Sequence, residues 1–482
     1  MYFNGSQWPA GDIEVCVEKA DYNSLLQIEG VRGRKVKIRA GGDAEEMRPN
    51  FRAGVLIRNS SGITLSKLNV SRSVDPTKDV AALLIDAGSE NNIVEYVNVD
   101  NAMHGIAIGG SGDPLTGPAG AGNIIRNNGV GGNIALNGIT IGKNSGSKVE
   151  ASHQTVPFGT LIDGNTVSGN GGHGIDVDNS GKVKITNNVV ANNGYTDKEA
   201  GGYSGIHLYT ASDNGTCNSN QVLYNYVWGT VSRRGGTDGN GIQIDNFCDD
   251  NAVGYNVIWN NDGAGIAVYN AARNQVFSNT VGFNSMQEMR AVEFDPKTSA
   301  VGEIVLSACV DRNTDASKNT CVDARPHGGR TRENWVYNNI VHSSVMHAPA
   351  INVHITAVKD DTDAKLDLKN KIGPNMYSNS GVFGDPNWPL LIFGNGSYAA
   401  ASSAEIDALT KLPGNLVEVP AVAGYDLANP AAVYKNNTFQ LVRQPTKHGE
   451  KFADRADWMD ILKEKPTANS NYFGAYYNVK SN

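Results

Sequence analysis

The chain has 482 residues, and its 41 Lys and Arg against 49 Asp and Glu leave a formal net charge of −8. With 40% hydrophobic and 19% charged residues, the composition is too apolar for a disordered chain. The acidity and the lack of a basic stripe exclude a general nucleic-acid binder, and no apolar run approaches the roughly 20 residues that span a membrane. The 55 glycines remain to be explained.

The first residues show neither the basic nor the apolar segment of a signal peptide. Such a start is typical of a cytosolic protein or of a mature chain whose leader has been removed. Of the five cysteines, Cys309 and Cys321 lie in a polar insertion that is typical of a disulfide-closed loop. Cys217 and Cys248 fall on neighbouring repeats and are a second possible pair, which leaves Cys16 single. Buried free thiols are the alternative for all four.

One phrase recurs through the middle of the chain: a small or polar residue, Gly-Ile, a variable residue, an aliphatic residue and another variable residue. The clear copies begin at His104, Asn137, His173, Ser204, Asn240 and Ala264. Looser copies begin at Arg290 and Pro349. The alternation of apolar and polar residues predicts short half-buried strands rather than helices.

A second phrase, Asn followed by two mostly apolar residues, comes after the first in each repeat. Its copies begin at Asn165, Asn188, Asn225, Asn256, Asn279 and Asn339. Short strands between Gly and Asn corners, with no amphipathic helix, predict a parallel β-solenoid in which each coil stacks on the next. Gly and Asn suit corners because they tolerate left-handed backbone conformations. Asn recurring at one register also predicts an internal ladder of amide hydrogen bonds.

These phrases resemble the right-handed parallel β-helix superfamily of polysaccharide lyases, glycoside hydrolases and phage tailspikes. The resemblance covers roughly residues 20–380 and includes the opening stretch LLQIEGVRGRKVKIRAGG. It implies an all-β fold, with a parallel β-helix catalytic domain over residues 1–380. Two helix-like segments in residues 381–482 predict a C-terminal cap with short helices.

Stacked repeats place residues in columns, and the variable residues of each Gly-Ile phrase are expected to point outward. Both outward columns are small at first and become polar in the middle coils. The predicted catalytic residues there are Asp176, Asp178, His207, Asp245, Glu293 and Asp295. The predicted substrate-binding residues are His173, Tyr209, Asn240, Gln243 and Tyr269, with Arg233 and Arg234 in a nearby insertion. An ordinary solvated face is the alternative.

Asp178 and Asp245 are predicted to lie two coils apart, about 9.6 Å at the backbone. Carboxylates at about 6.5–9.5 Å suit inverting hydrolysis, in which one protonates the leaving oxygen and the other activates water. Side-chain tilt towards the spacing of a retaining pair leaves the stereochemistry open. We therefore expect a glycoside hydrolase that requires no cofactor and acts on a polysaccharide or oligosaccharide. Such a substrate implies a secreted or periplasmic protein, with no nucleic-acid or membrane partner.

Asp238 and Asp262 precede consecutive Gly-Ile strands, one repeat apart. They resemble the aspartate ladder that binds calcium in family 9 pectate lyases, although Asn261 and Gly265 stand where further Asp residues are expected. The resemblance implies a weak calcium site, and turn-forming Asp-Gly corners are the alternative.

Two further functions stay open. A polysaccharide lyase would use His207 and Tyr209 as base and acid, or the calcium site. However, the carboxylates of this face would repel an acidic polymer. A non-enzymatic adhesin or tailspike body is the third hypothesis.

Overall fold

Short strands, almost all parallel, and tight corners make up the described part of the chain, as the repeats predict. We analysed a computed structural model. It describes residues 2–4, 10–42, 44–74, 80–86, 88–109, 122–142, 159–196, 202–210, 216–232, 238–285, 302–307, 331–343, 349–354, 370–372, 375–379, 391–393 and 398–400. The chain divides into two units: unit 1 comprises residues 1–198 and 206–222, and unit 2 comprises residues 199–205 and 223–482.

Unit 1 consists of stacked coils. Each coil contributes one strand to each of three parallel sheets, which we call A, B and C. Sheet A contains β1 (Tyr2–Asn4), β4 (Leu26–Glu29), β7 (Val55–Arg58), β10 (Ala81–Asp86), β13 (His104–Ile108), β16 (Ile139–Gly142), β19 (Ile175–Asp178) and β22 (Ile206–Tyr209). Sheet B contains β2 (Ile13–Val17), β5 (Val36–Ala40), β8 (Ile63–Ser66), β11 (Ile93–Glu95), β14 (Ile124–Arg126), β17 (Leu161–Asp163), β20 (Lys184–Thr186) and β23 (Gln221–Leu223). Sheet C contains β3 (Asp21–Tyr22), β6 (Asn50–Phe51), β9 (Asn69–Ser71), β12 (Asn98–Asp100), β15 (Gly129–Gly131), β18 (Thr166–Ser168) and β21 (Val189–Ala191). A 3-10 turn spans Glu45–Met47.

Unit 2 repeats the same three-sheet coil. Sheet A contains β25 (Ile242–Ile244), β28 (Ile266–Tyr269), β31 (Ile304–Ser307), β34 (Ile351–His354), β37 (Leu391–Phe393) and the antiparallel β38 (Tyr398–Ala400). Sheet B contains β26 (Ala252–Gly254), β29 (Gln275–Phe277), β32 (Trp335–Tyr337) and β35 (Lys371–Ile372). Sheet C contains β24 (Tyr226–Trp228), β27 (Val257–Trp259), β30 (Thr280–Gly282), β33 (Ile340–Ser343) and β36 (Met376–Asn379). The prediction of an all-β parallel β-helix is confirmed.

The core lies inside each coil and is filled by aliphatic side chains from all three sheets. In one coil of unit 1, Ile175, Val177, Ile185 and Val190 are all 0% exposed. Ile175 and Val177 are the aliphatic positions of a Gly-Ile phrase, so the prediction that these positions point inward is confirmed. Burying one such side chain stabilises the fold by about 1.5–3 kcal/mol.

Asparagine ladders hold the corners, and one of them is the predicted ladder. In unit 2, Asn225, Asn256 and Asn279 each donate a side-chain N–H to the Oδ1 atom of the Asn in the following coil, each at 3.0 Å. The same Oδ1 atoms accept the backbone N–H of the preceding Asn, at 2.9–3.0 Å. Each ladder Asn therefore satisfies a buried amide that the corner would otherwise leave unpaired.

The glycine of the Gly-Ile phrase has a steric role that the sequence analysis did not predict. A Cβ atom at Gly241 would lie 2.5 Å from Ile258 Cγ2, and one at Gly265 would lie 2.3 Å from Val281 Cγ1. Neither glycine needs a left-handed backbone. These glycines let the start of each sheet A strand pack directly on side chains from sheet C. The left-handed corners include non-glycine residues such as Asn187 (φ 56°) and Tyr224 (φ 60°).

Cys217 and Cys248 are each disulfide-bonded, and both are 0% exposed. Cys16 is a free, exposed thiol, as predicted. Cys309 and Cys321 lie outside the described residues. The helices predicted for residues 381–482 do so too, except that the first two residues of the first helix, Ala399 and Ala400, lie in strand β38. Strand β37 shows that sheet A continues beyond residue 380. Within the described ranges, no helix is long and apolar enough to cross a membrane.

Candidate functional site

The first outward column of unit 1 has the predicted register. Ala107 pairs with Thr140, Thr140 with Asp176, and Asp176 with His207, on the adjacent strands β13, β16, β19 and β22. Adjacent parallel strands lie about 4.8 Å apart, so each side chain contacts its column neighbours. The column therefore brings a carboxylate and an imidazole together on sheet A.

Asp176 is the centre of this cluster. Its Oδ1 atom lies 3.0 Å from His207 Nδ1, and its Oδ2 atom accepts a hydrogen bond of 3.0 Å from the Asn137 amide. Only 6% of Asp176 is exposed. Both carboxylate oxygens are thus engaged, which fixes the orientation of the group and of the imidazole it contacts.

The pKa of Asp176 reflects two opposing effects. Burial raises it, but the hydrogen bond to His207 and the positive charges of His173, His207 and His104 together hold it below its ordinary value. Asp176 therefore stays ionised, and it cannot act as a general acid near neutral pH. It serves instead as a negative charge that orients an imidazole.

Aromatic rings stack along the same face. The rings of His173 and His207 are parallel within 3°, with centroids 4.3 Å apart. Tyr209 follows on the same strand as His207, with ring centroids 5.8 Å apart and an interplanar angle of 16°. The structure thus places three predicted residues, His173, His207 and Tyr209, in one continuous stack beside Asp176.

Asp178 lies two residues beyond Asp176 on β19. Its backbone partner is Tyr209, so the second outward column also has the predicted register in this unit. Only 3% of Asp178 is exposed, and its Oδ1 atom accepts a hydrogen bond of 2.5 Å from the Asn179 side chain. This carboxylate is a second buried acidic group on β19, in register with Tyr209 on β22.

His173, Asp176 and His207 are also a set of metal-ligating side chains. One ligand atom from each lies within 4.8 Å of the others. No other group of three or more His, Cys, Asp or Glu side chains is so close within the described residues. The set could hold one ion, with two nitrogen atoms and one oxygen atom as ligands.

Unit 2 contains a second polar network on sheet A. Gln243 Oε1 accepts hydrogen bonds from Ser204 Oγ at 2.6 Å and from Asn240 Nδ2 at 2.9 Å. Gln243 Nε2 in turn donates to Asp245 Oδ2 at 3.2 Å. The Asp245 Oδ1 atom accepts the backbone N–H of Asn246 at 2.7 Å. The predicted residues Asn240, Gln243 and Asp245 are therefore one hydrogen-bonded chain.

Tyr269 lies near this network. Burial raises the pKa of its hydroxyl, the negative charge of Asp245 raises it further, and the charge of Asp238 contributes in the same direction. A hydrogen bond with Asn270 has the opposite effect. Tyr269 therefore remains protonated and can donate a hydrogen bond to a ligand.

Asp262, one of the two predicted calcium ligands, has a corner role. Its Oδ2 atom accepts the backbone N–H of Ser232 at 2.9 Å, and only 5% of the residue is exposed. The backbone N–H of Gly263 donates to Gly239 O at 2.9 Å, so the two Asp-Gly corners stack as predicted. The hydrogen bond at Asp262 supports the turn alternative, and the calcium site stays a prediction.

One part of the predicted columns is wrong. The columns placed Glu293 and Asp295 after Ala267 and Tyr269, but the strand that pairs with β28 is β31, where Val305 and Ser307 are the partners. The sequence at Arg290 has the pattern of the repeat, but the strand that pairs with β28 is β31. That strand follows Glu303 and lacks the Gly-Ile phrase. Glu293 and Asp295 lie outside the described residues, as do Arg233 and Arg234.

Two buried polar residues, Asn137 and Glu303, were not predicted from the sequence. Asn137 occupies the first position of a Gly-Ile phrase, and this position forms a third column with His104 and His173 that could have revealed it. Glu303 is 0% exposed, and burial raises its pKa to about 8 against the hydrogen bonds from Asn284. The repeat pattern could not reveal Glu303, because this residue occupies the position where the Gly-Ile phrase has its glycine.

The family profile described as "Right handed beta helix region" matches residues 53–230 and 132–293. No curated protein sequence matches the chain.

Solved structures with a similar fold include three carbohydrate-processing proteins. The A-module of mannuronan C-5 epimerase AlgE6 from Azotobacter vinelandii is 14% identical, with 80% of this chain and 90% of that chain covered and a TM-score of 0.43. An alginate lyase from Paenibacillus sp. str. FPU-7 is 14% identical, with coverages of 58% and 93% and a TM-score of 0.39. The GH136 lacto-N-biosidase from Eubacterium ramulus is 12% identical, with coverages of 76% and 62% and a TM-score of 0.43.

Proposed function

The chain belongs to the right-handed β-helix family, and we propose that it is a polysaccharide lyase that cleaves a uronic-acid polymer by β-elimination. His207 removes the α-proton next to the uronate carboxyl group, and Tyr209 protonates the leaving glycosidic oxygen. The observation that carries this proposal is the His207 imidazole, which is hydrogen-bonded to Asp176 and stacked beside Tyr209. A base and an acid side by side are what elimination requires.

Asp176 orients the base. Its contact with His207 Nδ1 directs the proton on that nitrogen toward the carboxylate, so proton abstraction falls to Nε2. The ionised carboxylate also stabilises the imidazolium that forms, as in other Asp–His pairs. Asp176 is therefore a positioning residue for His207.

The electron balance of the reaction needs no cofactor. The C–H electron pair becomes the new carbon–carbon double bond as the bond to the glycosidic oxygen breaks. The α-proton moves to His207, and the phenolic proton of Tyr209 moves to the leaving oxygen. Proton exchange with water restores both side chains for the next turnover.

Carboxylates on this face were expected to repel an acidic polymer, but the surroundings of Asp176 reduce that repulsion. The Asp176 carboxylate is buried, and its two oxygens are engaged by His207 and by the Asn137 amide. Its negative charge is therefore not presented to a polymer in solution. Tyr209 adds an aromatic ring and a hydroxyl group that suit a sugar ring.

Carboxylate-catalysed hydrolysis is the second candidate. Asp178 favours it, because this carboxylate is 3% exposed and its backbone partner is Tyr209. Its predicted partner Asp245 lies in unit 2, hydrogen-bonded to Gln243. The pairing of Asp178 with Asp245 stays a prediction.

A panel of polysaccharides tests the proposal. Polyuronates and neutral polymers would be incubated with the protein, and ultraviolet absorbance of unsaturated uronate would be measured beside released reducing ends. We expect both signals to rise together on a polyuronate and neither on a neutral polymer. Reducing ends without unsaturated product would reject elimination in favour of hydrolysis.

A further inference from the structure

We propose that His173, Asp176 and His207 bind one divalent transition-metal ion of the zinc class. Their ligand atoms lie within 4.8 Å of one another. In a tetrahedral zinc site with bonds of about 2.0–2.2 Å, ligand atoms stand roughly 3.3–3.6 Å apart. An ion must lie close to the plane of each imidazole that binds it, whereas the rings of His173 and His207 are stacked and parallel. Metal binding therefore requires one imidazole to rotate out of the stack, together with a closure of at most roughly 1.5 Å between ligand atoms. Rotation about the χ angles can supply both without moving the backbone.

The backbone that carries the ligands is fixed. Asp176 and His207 are paired residues on β19 and β22, and His173 begins the corner that leads into β19. The backbone N–H of His173 donates to Asn137 Oδ1 at 3.0 Å. All three ligands thus lie on hydrogen-bonded strands or corners, so the backbone that carries them is in place before the metal binds, and only the imidazole rings need to reorient.

Asn137 provides the outer contact typical of metal sites. Its Nδ2 atom donates to Asp176 Oδ2 while Asp176 Oδ1 faces His207. One carboxylate oxygen is therefore held by an amide, and the other is directed at the imidazole that would share the ion. Outer contacts of this kind orient ligands, and their loss weakens metal binding by about 10–100-fold.

The donor set selects the metal. Two imidazoles and one carboxylate suit zinc and related transition metals, whereas calcium takes six to eight oxygen atoms. Three protein ligands leave the fourth tetrahedral position for water or a substrate oxygen. The side chains of His207 and Asp176 are 12% and 8% exposed, so solvent has limited access to both ligands.

Metal binding and proton abstraction would compete, and this consequence rests on the proposed function. An ion held by Asp176 and His207 Nδ1 would displace the Nδ1 proton to solvent and leave the one proton of the neutral ring on Nε2, so His207 could no longer accept a proton there. Zinc should therefore inhibit elimination, and a chelator should restore it.

The experiment measures metal binding directly. The chelator-treated full chain would be titrated with ZnCl₂ by calorimetry, and CoCl₂ would report the ligands by visible absorption. We expect one zinc per chain and a tetrahedral cobalt spectrum without thiolate bands, which excludes the cysteines. His173→Gln and Asp176→Asn should each weaken zinc binding by at least about 100-fold, and Asn137→Ala by about 10–100-fold.

Asp178→Asn is the matched control, because it removes a buried carboxylate from the same strand outside the ligand set. Its zinc affinity should match that of the wild type, and circular dichroism should show each variant folded. The proposal is overturned if the wild type binds no zinc, or if His173→Gln and Asp176→Asn bind it unchanged. Zinc that binds at this site without inhibiting elimination would leave the metal site intact and reject His207 as the base.

Discussion

A single buried carboxylate determines what the imidazole at position 207 can do. Asp176 is ionised, hydrogen-bonded on both oxygens and surrounded by imidazoles, so its role is to orient and polarise. Sequence columns correctly predicted that Asp176 and His207 would be neighbours. They could not predict that Asp176 would be hydrogen-bonded on both oxygens. The second hydrogen bond comes from Asn137, which occupies the first position of a Gly-Ile phrase, and that position was interpreted only as small or polar.

Replacing Asp176 with Asn tests this role. Asp176→Asn keeps a hydrogen-bonding group but removes the charge, so we expect kcat to fall by about 100-fold or more, with little change in KM. Loss of the negative charge lowers the pKa of the imidazole, so the ascending limb of the pH–rate profile should move to lower pH. Steady-state kinetics over a pH series measures both effects.

Asp178→Asn is the control for that experiment. An elimination by His207 and Tyr209 predicts that Asp178→Asn keeps most activity, whereas carboxylate hydrolysis predicts that it loses nearly all. If Asp176→Asn lowers activity with no movement of the pH profile, Asp176 has a structural role only.

Among the described elements, the coil with strand β31 departs from the repeat. Ile304 pairs with Ile266, so Glu303 occupies the place that Gly265 has in the preceding coil. The Glu303 carboxylate accepts the Asn284 side-chain amide at 2.7 Å and thereby continues the ladder in which Asn261 donates to Asn284. Recurring Asn residues predict a ladder of amide hydrogen bonds. They cannot predict a coil such as this one, in which the acceptor is a Glu carboxylate instead of an Asn side chain.

Glu303 makes stability depend on pH. Burial raises its pKa in the folded chain to about 8, against 4.5 as the ordinary value. The folded state therefore holds a proton that the unfolded state has released, and the free energy of unfolding should fall by a few kcal/mol as pH rises from 4.5 to about 8. Chemical denaturation across that range measures the slope.

Glu303→Gln keeps an amide oxygen for the ladder and removes the titration. We expect the variant to lose most of this pH dependence and to be more stable than the wild type above pH 8. Equal slopes in the two proteins would show that Glu303 does not titrate in this range.

For the whole molecule, periodicity predicted the fold because most of the described coils repeat the same register. The Gly-Ile phrase marks a close approach between sheets C and A, and the Asn phrase marks a corner ladder, so both patterns have a physical cause. The same logic failed between residues 286 and 301, where Arg290-Ala-Val-Glu-Phe-Asp295 has the alternation without being the strand that pairs with β28. A pattern predicts a strand, and only pairing establishes its register.

The most direct test of the account follows the proton that His207 is proposed to remove. A uronate polymer would be incubated with the protein in heavy water, and the α-proton of the cleaved residues would be followed by NMR. We predict that each cleavage removes the α-proton signal and creates one alkene proton, and that His207→Gln slows both changes by about 100-fold or more. Chain cleavage in which every new end retains its α-proton would contradict the account.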